Sequence, residues 1–589
     1  MIHRLRRHVR SSAEMFHRVL LFFFLLFCTL CTYFGPAQHR FAANLLIPQA
    51  GAQQELDWRY GIIEAYQAPF AARDLGVSWT RVTFNWADVQ ADGPESWETA
   101  VDETLIEAEP RFGREVVGLL IGIPEWARDI NDLPQGLWLE HDDPNNLWAN
   151  YVREAVRRYD GRITDWIIWN EPDIDKAAIA HTWNGSVDDF YQLQRVAYLV
   201  AKETNPDAVV HLPAFTYWAD ANAGREQYMA RLLDRIVADP EAAQHNYYFD
   251  VATAHLYFQA DQIYDLLQLF QETLHIRGLN KPLWLVETNA PPFNDPAWPV
   301  EDVTLAVTQE EQAAFIPQAV AAALAADVER IGVFKMQDTV DDRAANPEPF
   351  GLMRMDATTR LGYRTYATAI DYLAGVTAAE RERWDAVGQF RLEQADRTTR
   401  VLFTRLPDMQ TVEVPAAAVS ALLVDMWGQK EIITPENGMY TVDLQQARCT
   451  QTIGDYCMIG GTVIYLIEAK DGGLPPEGLP APLTTPPPTP TALPTAAHTP
   501  TTQPTVTLTA VPEATVTTLA PVTETAVHIT QNPTAAAPRT NTPQPQPTRE
   551  PTAVTPADTA PAPASTVYLE IGFVILVILL FFGWRLVKK

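Results

Sequence analysis

Between Asp57 and Gly375, short apolar runs alternate with stretches whose apolar residues recur every three to four positions. This is the pattern of parallel strands buried on both faces and of the amphipathic helices that cover them. Eight runs read as strands: Tyr60 to Ile63, Trp79 to Asn85, Val116 to Ile123, Asp165 to Asn170, Val209 to Pro213, Phe249 to Tyr257, Leu283 to Glu287 and Arg330 to Gln337. A helical stretch follows each. The plainest puts Leu147, Tyr151, Val152, Ala155, Val156 and Tyr159 on one face, and Val187 to Asn205 and Gln309 to Ala326 are long enough for several turns. Eight strand-helix units predict a (β/α)8 barrel over residues 56–375. An open doubly wound sheet is the alternative, but no glycine-rich phosphate loop follows the first strand.

From residue 376 to 470 the period shortens to two, as in Thr411-Val412-Glu413-Val414 and Val463-Ile464-Tyr465-Leu466. This predicts a small antiparallel β-sandwich, with Asn437-Gly438 as a hairpin turn. Its expected role is structural, with a sugar-binding module as the alternative. Residues 471–566 are rich in Pro, Thr and Ala and hold 22 of the 45 prolines, with large apolar residues only scattered. Such a segment cannot bury enough surface to offset its ordering entropy and reads as a disordered stalk.

Both ends of the chain carry membrane signals. Arg4, Arg6, Arg7, Arg10 and Arg18 precede an apolar run from Val19 to Tyr33, so residues 1–52 read as a signal peptide or an N-terminal anchor. Residues 567–589 contain an apolar run closed by Arg585, Lys588 and Lys589, which predicts a transmembrane helix with a short cytoplasmic tail. The expected address is the cell membrane, with a single C-terminal anchor and the folded part outside.

Composition narrows the function. The net charge is −29, from 73 acidic and 44 basic residues, and the basic residues do not cluster beyond the first 18 positions, so a nucleic-acid partner is not expected. The 16 Trp, 20 Tyr and 24 Phe suit a large core and a surface that binds flat rings. Cys449 and Cys457, eight apart around Gly454, are the thiols of the folded part and are expected to form one local disulfide on export. Their segment offers too few further ligands for a metal site.

In a barrel of this type, chemistry sits at the C-terminal ends of the strands. Two carboxylates fall there: Glu171, in Trp169-Asn170-Glu171-Pro172 after the fourth strand, and Glu287, in Val286-Glu287-Thr288-Asn289 at the end of the seventh. A single Glu at a strand end is more often a solvated cap. Two that face each other across a barrel mouth are what glycosidic cleavage needs, one to protonate the leaving oxygen and one to attack or stabilise the anomeric carbon.

The run Arg158-Tyr159-Asp160-Gly161-Arg162-Ile163 leading into Trp169-Asn170-Glu171-Pro172 resembles clan A glycoside hydrolases, especially the cellulase and the β-xylosidase/α-L-iduronidase families. The resemblance implies Glu171 as acid/base, Glu287 as nucleophile and Asn170 as the group bonding the sugar 2-hydroxyl. It also implies Arg81 beside the nucleophile, and His255 and Tyr257 lining the site with the tyrosine bonded to the nucleophile. No cofactor is implied. Trp126, Trp148, Trp183 and Trp218 are candidate sugar-stacking faces, any of which could instead be core. Where the family has a tryptophan after the eighth strand, this chain has Phe334, followed by Lys335 in reach of a substrate hydroxyl or carboxylate. The expectation is therefore a retaining glycosidase acting on extracellular polysaccharides or oligosaccharides. The alternative is a non-catalytic carbohydrate-binding or adhesion protein on the same barrel, which would tolerate loss of one carboxylate.

Overall fold

The computed structural model describes residues 56–471, apart from positions 175, 177, 179, 302, 304, 346 and 347. Eight strands, β1 (Tyr60–Ile62), β2 (Trp79–Asn85), β3 (Glu115–Ile121), β4 (Ile163–Ile168), β5 (Val209–Phe215), β6 (Val251–Tyr257), β7 (Leu283–Asn289) and β8 (Arg330–Val333), pair in parallel and in sequence order. β8 returns to β1, with Tyr60 beside Ile331, and closes the barrel. The principal helices that follow the strands are α1 (Pro69–Leu75), α2 (Glu103–Ala108), α3 (Leu147–Arg158), α4 (Val187–Thr204), α5 (Tyr228–Val237), α6 (Ile263–His275), α7 (Gln309–Ala325) and α8 (Leu361–Leu373). Several start on local capping chemistry. Ser186 exchanges bonds with Asp189 at the start of α4, and Thr308 does so with Glu311 at the start of α7.

The lower barrel interior is apolar. Trp79, Val117, Leu119, Ile167, Trp284 and Val286 pack there, and the Trp79 and Trp284 rings are 5.9 Å apart. Two glycines make room for Trp79: a Cβ at Gly61 would stand 2.1 Å from the indole, and one at Gly332 would stand 2.7 Å from it.

After α8 the chain enters antiparallel strands. A six-stranded sheet runs in the order Ala378–Trp384, Val387–Glu393, Arg397–Thr404, Ile464–Ala469, Ala421–Asp425, Lys430–Ile433. One face, including Phe390, Val401, Phe403 and Tyr465, joins the core that surrounds the barrel. The other is covered by a two-stranded ribbon, Gln410–Pro415 with Met439–Leu444, through Val412, Val414, Tyr440 and Val442. The two layers are the expected sandwich. Asn437 and Gly438 do make a tight turn, both with positive φ (53° and 79°), closed by paired bonds between Glu436 and Met439. The long hairpin does not form, however. Lys430–Ile433 pairs with Ala421–Asp425, while Met439–Leu444 crosses to the ribbon. Cys449 and Cys457 are disulfide-bonded, as expected.

No helix among the described residues is long and apolar enough to cross a membrane. The N-terminal segment 1–52, the apolar segment 567–589 and the Pro/Thr/Ala tract beyond residue 471 lie outside those residues.

Candidate active site

Strict alternation along β7 would turn Glu287 away from the barrel, because Trp284 and Val286 already face the interior. A β-bulge reverses the phase. Ala254 of β6 faces Leu285 and His255 faces Glu287, so Val286 is the extra residue, and the register against β8 shifts at the same place. Bulges commonly re-aim a side chain in this way. Glu287 ends 5% exposed in the mouth.

Three neighbours hold it there. Arg81, two residues beyond Trp79 on β2, places a guanidinium nitrogen 2.5 Å from Glu287 Oε1. The Tyr257 hydroxyl donates to Glu287 Oε2. His255 Nδ1 lies 3.4 Å from the same oxygen. His255 and Tyr257 alternate onto one face of β6, as their spacing predicts.

Glu171 arrives by a different device. β4 stops at Ile168, short of the expected Asn170, because Trp169 takes a left-handed conformation (φ 73°), as does Glu171 (φ 46°). The backbone stays tied to its neighbours: Trp169 N–H donates to Leu120 O at 2.8 Å and Glu171 N–H to Ala214 O at 3.1 Å. Left-handed backbone at a bulky residue persists only where the surroundings compel it. Here the Trp169 ring is wedged between Trp148 and Trp183, with centroids 6.1 and 5.2 Å away, and its N–H reaches Thr182 Oγ1 at 3.2 Å. The Glu171 carboxylate then meets His255 Nδ1 at 2.6 Å. One oxygen from each glutamate and one imidazole nitrogen all lie within 4.8 Å of one another. Two carboxylates and an imidazole can ligate a divalent ion, but both Glu287 oxygens are already engaged by Arg81 and Tyr257.

The electrostatics separate the two glutamates. Burial pushes the Glu287 carboxyl up, but the Arg81 guanidinium, His255 and the Tyr257 hydrogen bond outweigh it and hold the group below its ordinary value of 4.5. Burial, followed by the charges of Glu287 and Glu171, raises the Tyr257 hydroxyl well above 10.0, which keeps it a donor. Asp173, just beyond Glu171, is pushed up to about 6 by burial, opposed by its bond from Thr216 N–H and reinforced by the charge of Glu171.

The other expected residues are placed unevenly. The Asn170 backbone bridges to Ala214, and its carbonyl accepts the Thr182 hydroxyl at 2.6 Å. Phe334 is half-buried, with its ring 6.3 Å from that of Tyr257. Phe350 joins it at 5.4 Å, so two phenylalanines stand where one tryptophan is expected. Trp126 donates to Gln90 O at 2.6 Å and packs edge-on to Trp86, and among the described contacts it does not reach the carboxylates. Trp148 and Trp183 are core, at 0% and 2% exposure, which corrects their reading as stacking faces; Trp218 is half-buried beside Tyr217. Sequence reasoning missed Glu64, Asp173, Asp342 and Phe350. Glu64 carried one usable signal, a charged residue directly after the first strand.

The parallel eight-stranded barrel, with one glutamate beyond its fourth strand and another on its seventh, shares its fold with solved glycoside hydrolases. A family 39 glycoside hydrolase from the gut symbiont Bacteroides cellulosilyticus WH2 superposes with a TM-score of 0.52 at 15% identity, over 72% of this chain and 83% of that one. A GH30 endoxylanase from Clostridium papyrosolvens C71 gives 0.45 at 12% identity, over 70% and 97%. A monomeric β-xylosidase from Caulobacter crescentus CB15 gives 0.44 at 14%, over 71% and 97%. At these identities the likeness is one of fold. No protein-family model matches the sequence, and no curated protein does.

Proposed function

We propose that this chain is a retaining glycoside hydrolase that cleaves O-glycosidic bonds of extracellular polysaccharides or oligosaccharides through a double displacement. The observation that carries the reading is the short separation of the Glu171 and Glu287 oxygens, within 4.8 Å. Retaining pairs stand about 5–5.5 Å apart, whereas inverting pairs need about 6.5–9.5 Å to admit a water between them.

Glu287, kept ionised by Arg81 and oriented by the Tyr257 hydroxyl, attacks the anomeric carbon. Glu171, which faces Glu287 and has no guanidinium partner, is the general acid and brings the proton. That proton passes to the leaving oxygen. Once Glu287 is esterified its charge is gone, so Glu171, now a carboxylate, takes a proton from water, which releases the sugar with its configuration retained. His255, in contact with both glutamates, holds their spacing through the two steps.

The cellular setting belongs to the same proposal. Residues 1–52 direct export, residues 471–566 form a spacer and residues 567–589 anchor the chain, with Arg585, Lys588 and Lys589 on the cytoplasmic side. Protease added to intact cells then releases the folded part. For the chemistry, the full-length protein is screened against aryl glycosides and polysaccharides, and the anomer formed first is read by proton NMR. Retention supports the reading; an inverted product overturns it.

A further inference from the structure

A second charged cluster sits in the mouth, one strand further round from Glu287. Glu64 follows β1 after Ile63, with a left-handed backbone (φ 60°), and Lys335 follows β8 after Phe334. These two strand ends run side by side: Ile63 N–H donates to Val333 O at 3.0 Å and Met336 N–H to Ile63 O at 2.9 Å. The Lys335 ammonium consequently contacts the Glu64 carboxylate and stands 2.8 Å from Asp342 Oδ1. The other Asp342 oxygen is taken by Thr339, from its N–H at 2.6 Å and its hydroxyl at 2.8 Å. Round the barrel from β7 to β2, the strands and the segments after them thus present Glu287, Lys335, Glu64 and Arg81 in alternating sign, and Arg81 closes the arc onto Glu287.

The arc borders the position of the cleaved sugar. Lys335 Nζ is 5.9 Å from the centre of the Phe334 ring, and that ring packs on Tyr257, which holds Glu287. The Asn289 amide fixes the floor by donating to the carbonyls of Phe334 and Phe350, at 2.5 and 2.7 Å.

The chemistry of the arc selects a ligand. Lys335 is 3% exposed, and an ammonium so desolvated persists only when paired. It has two carboxylates, Glu64 and Asp342, and Arg81 is committed to Glu287. Round the mouth the four carboxyl groups Glu64, Asp342, Glu171 and Glu287 outnumber the cations Arg81 and Lys335 even when the His255 imidazole is counted with them. A carboxylate on the sugar would meet cations already neutralised and a surplus of negative charge. Sugar hydroxyls meet the opposite situation, since Lys335 has a third N–H to donate and Glu64 has lone pairs to accept.

We propose that Glu64 and Lys335 are specificity-determining residues that hold the hydroxyls of an uncharged sugar beside Glu287, in a subsite that rejects uronic acids. The proposal rests on the glycosidase reading and is tested so that the two can fail separately. The full-length protein, solubilised in detergent, is assayed on matched aryl glycosides, with each neutral hexoside or pentoside paired with its uronide. In parallel, saturation-transfer NMR records binding of the free neutral sugars and of glucuronic and galacturonic acids. Turnover of at least one neutral glycoside is expected, with its uronide about 100-fold poorer or worse. Lys335→Met should lower kcat/KM on the neutral substrate by about 10- to 100-fold, the effect of losing a hydrogen bond to a charged group. Glu64→Gln, which leaves Lys335 paired with Asp342, should narrow the uronide penalty about tenfold and keeps the test alive if Lys335→Met does not fold. Equal or better turnover of a uronide, or a Glu64→Gln protein with unchanged selectivity, overturns the proposal. Neutral sugars bound in preference to uronic acids without any hydrolysis would support the subsite and overturn the hydrolase reading; absence of both binding and turnover would overturn both.

Discussion

Trp79 and Arg81 lie two residues apart on β2 and point into the same barrel interior, yet they meet different surroundings. Trp79 rests among Trp284, Val286 and two glycines that leave no space beside its ring. Arg81 enters a layer of Glu287, His255 and Tyr257, where nearly every group is polar, buried and dependent on its partners. One turn of pleat separates a layer that gains stability by excluding water from a layer that holds charge out of water. The second layer is tenable because the first is close-packed beneath it. The difference teaches where to look for each kind of failure: below, substitutions should cost stability, and above, they should cost chemistry.

The sharpest test of that division is Glu287→Gln, which keeps the shape and removes the charge. Turnover should fall by about 10⁴-fold or more, a far larger effect than the drop in melting temperature by calorimetry that follows when Arg81 loses its buried charge partner. A variant with substantial residual activity would end the nucleophile assignment. Trp79→Ala tests the lower layer. The lost packing should remove about 3–5 kcal/mol of stability in urea titrations, with kcat of the folded fraction unchanged; a kcat loss in fully folded protein would blur the two layers. Glu171→Ala should cost about 10²–10⁴-fold on substrates with poor leaving groups. It should spare the first step for aryl glycosides with good ones, and azide should then restore the second step and give a glycosyl azide of retained configuration. The smallest effect is one of pH. Glu287 has a depressed pKa in the folded protein, so its ionised form, with the stability and activity it supports, is present above 4.5 and lost as the pH falls through that lower value. The acid limb of kcat/KM should therefore lie below pH 4.5. In Arg81→Gln the main charge holding the carboxylate ionised is removed and burial acts with less opposition, so the limb should move to higher pH. A pH profile identical to that of the parent would contradict the role given to Arg81.

Much of this site could be read from the sequence because its residues obey local rules. The Asn170-Glu171-Pro172 run and the two-residue spacing of His255 and Tyr257 are properties of short segments, and so was the number of strand-helix units. What stayed hidden depends on register between strands. The bulge at Val286 decides whether Glu287 faces inward, and it exists only in the pairing of β7 with β6 and β8. The left-handed Trp169 has no residue signature, since glycine or asparagine would be the usual occupant. Trp148 and Trp183 looked like surface rings because their burial comes from Trp169 packing between them. Asn437-Gly438 announced its turn correctly, but the partners of the strands on either side are set far along the chain.

Helix α7 has a consequence for how this protein can change over time. Fifteen of its 17 residues are buried, because the barrel lies against one side of it and the antiparallel sheet against another. Its polar groups are shared out as well: Gln318 bonds Gly460 and Gly461, at 3.0 Å each, and Glu311 accepts from the Thr450 N–H and hydroxyl at 2.9 and 2.8 Å. A helix buried on nearly all sides has little face to offer water. The sheet is therefore not a detachable cassette that recombination could exchange for another binding module. Barrel and sheet must be inherited together, and loops at the mouth are where novelty in this lineage can be tried without unmaking the fold.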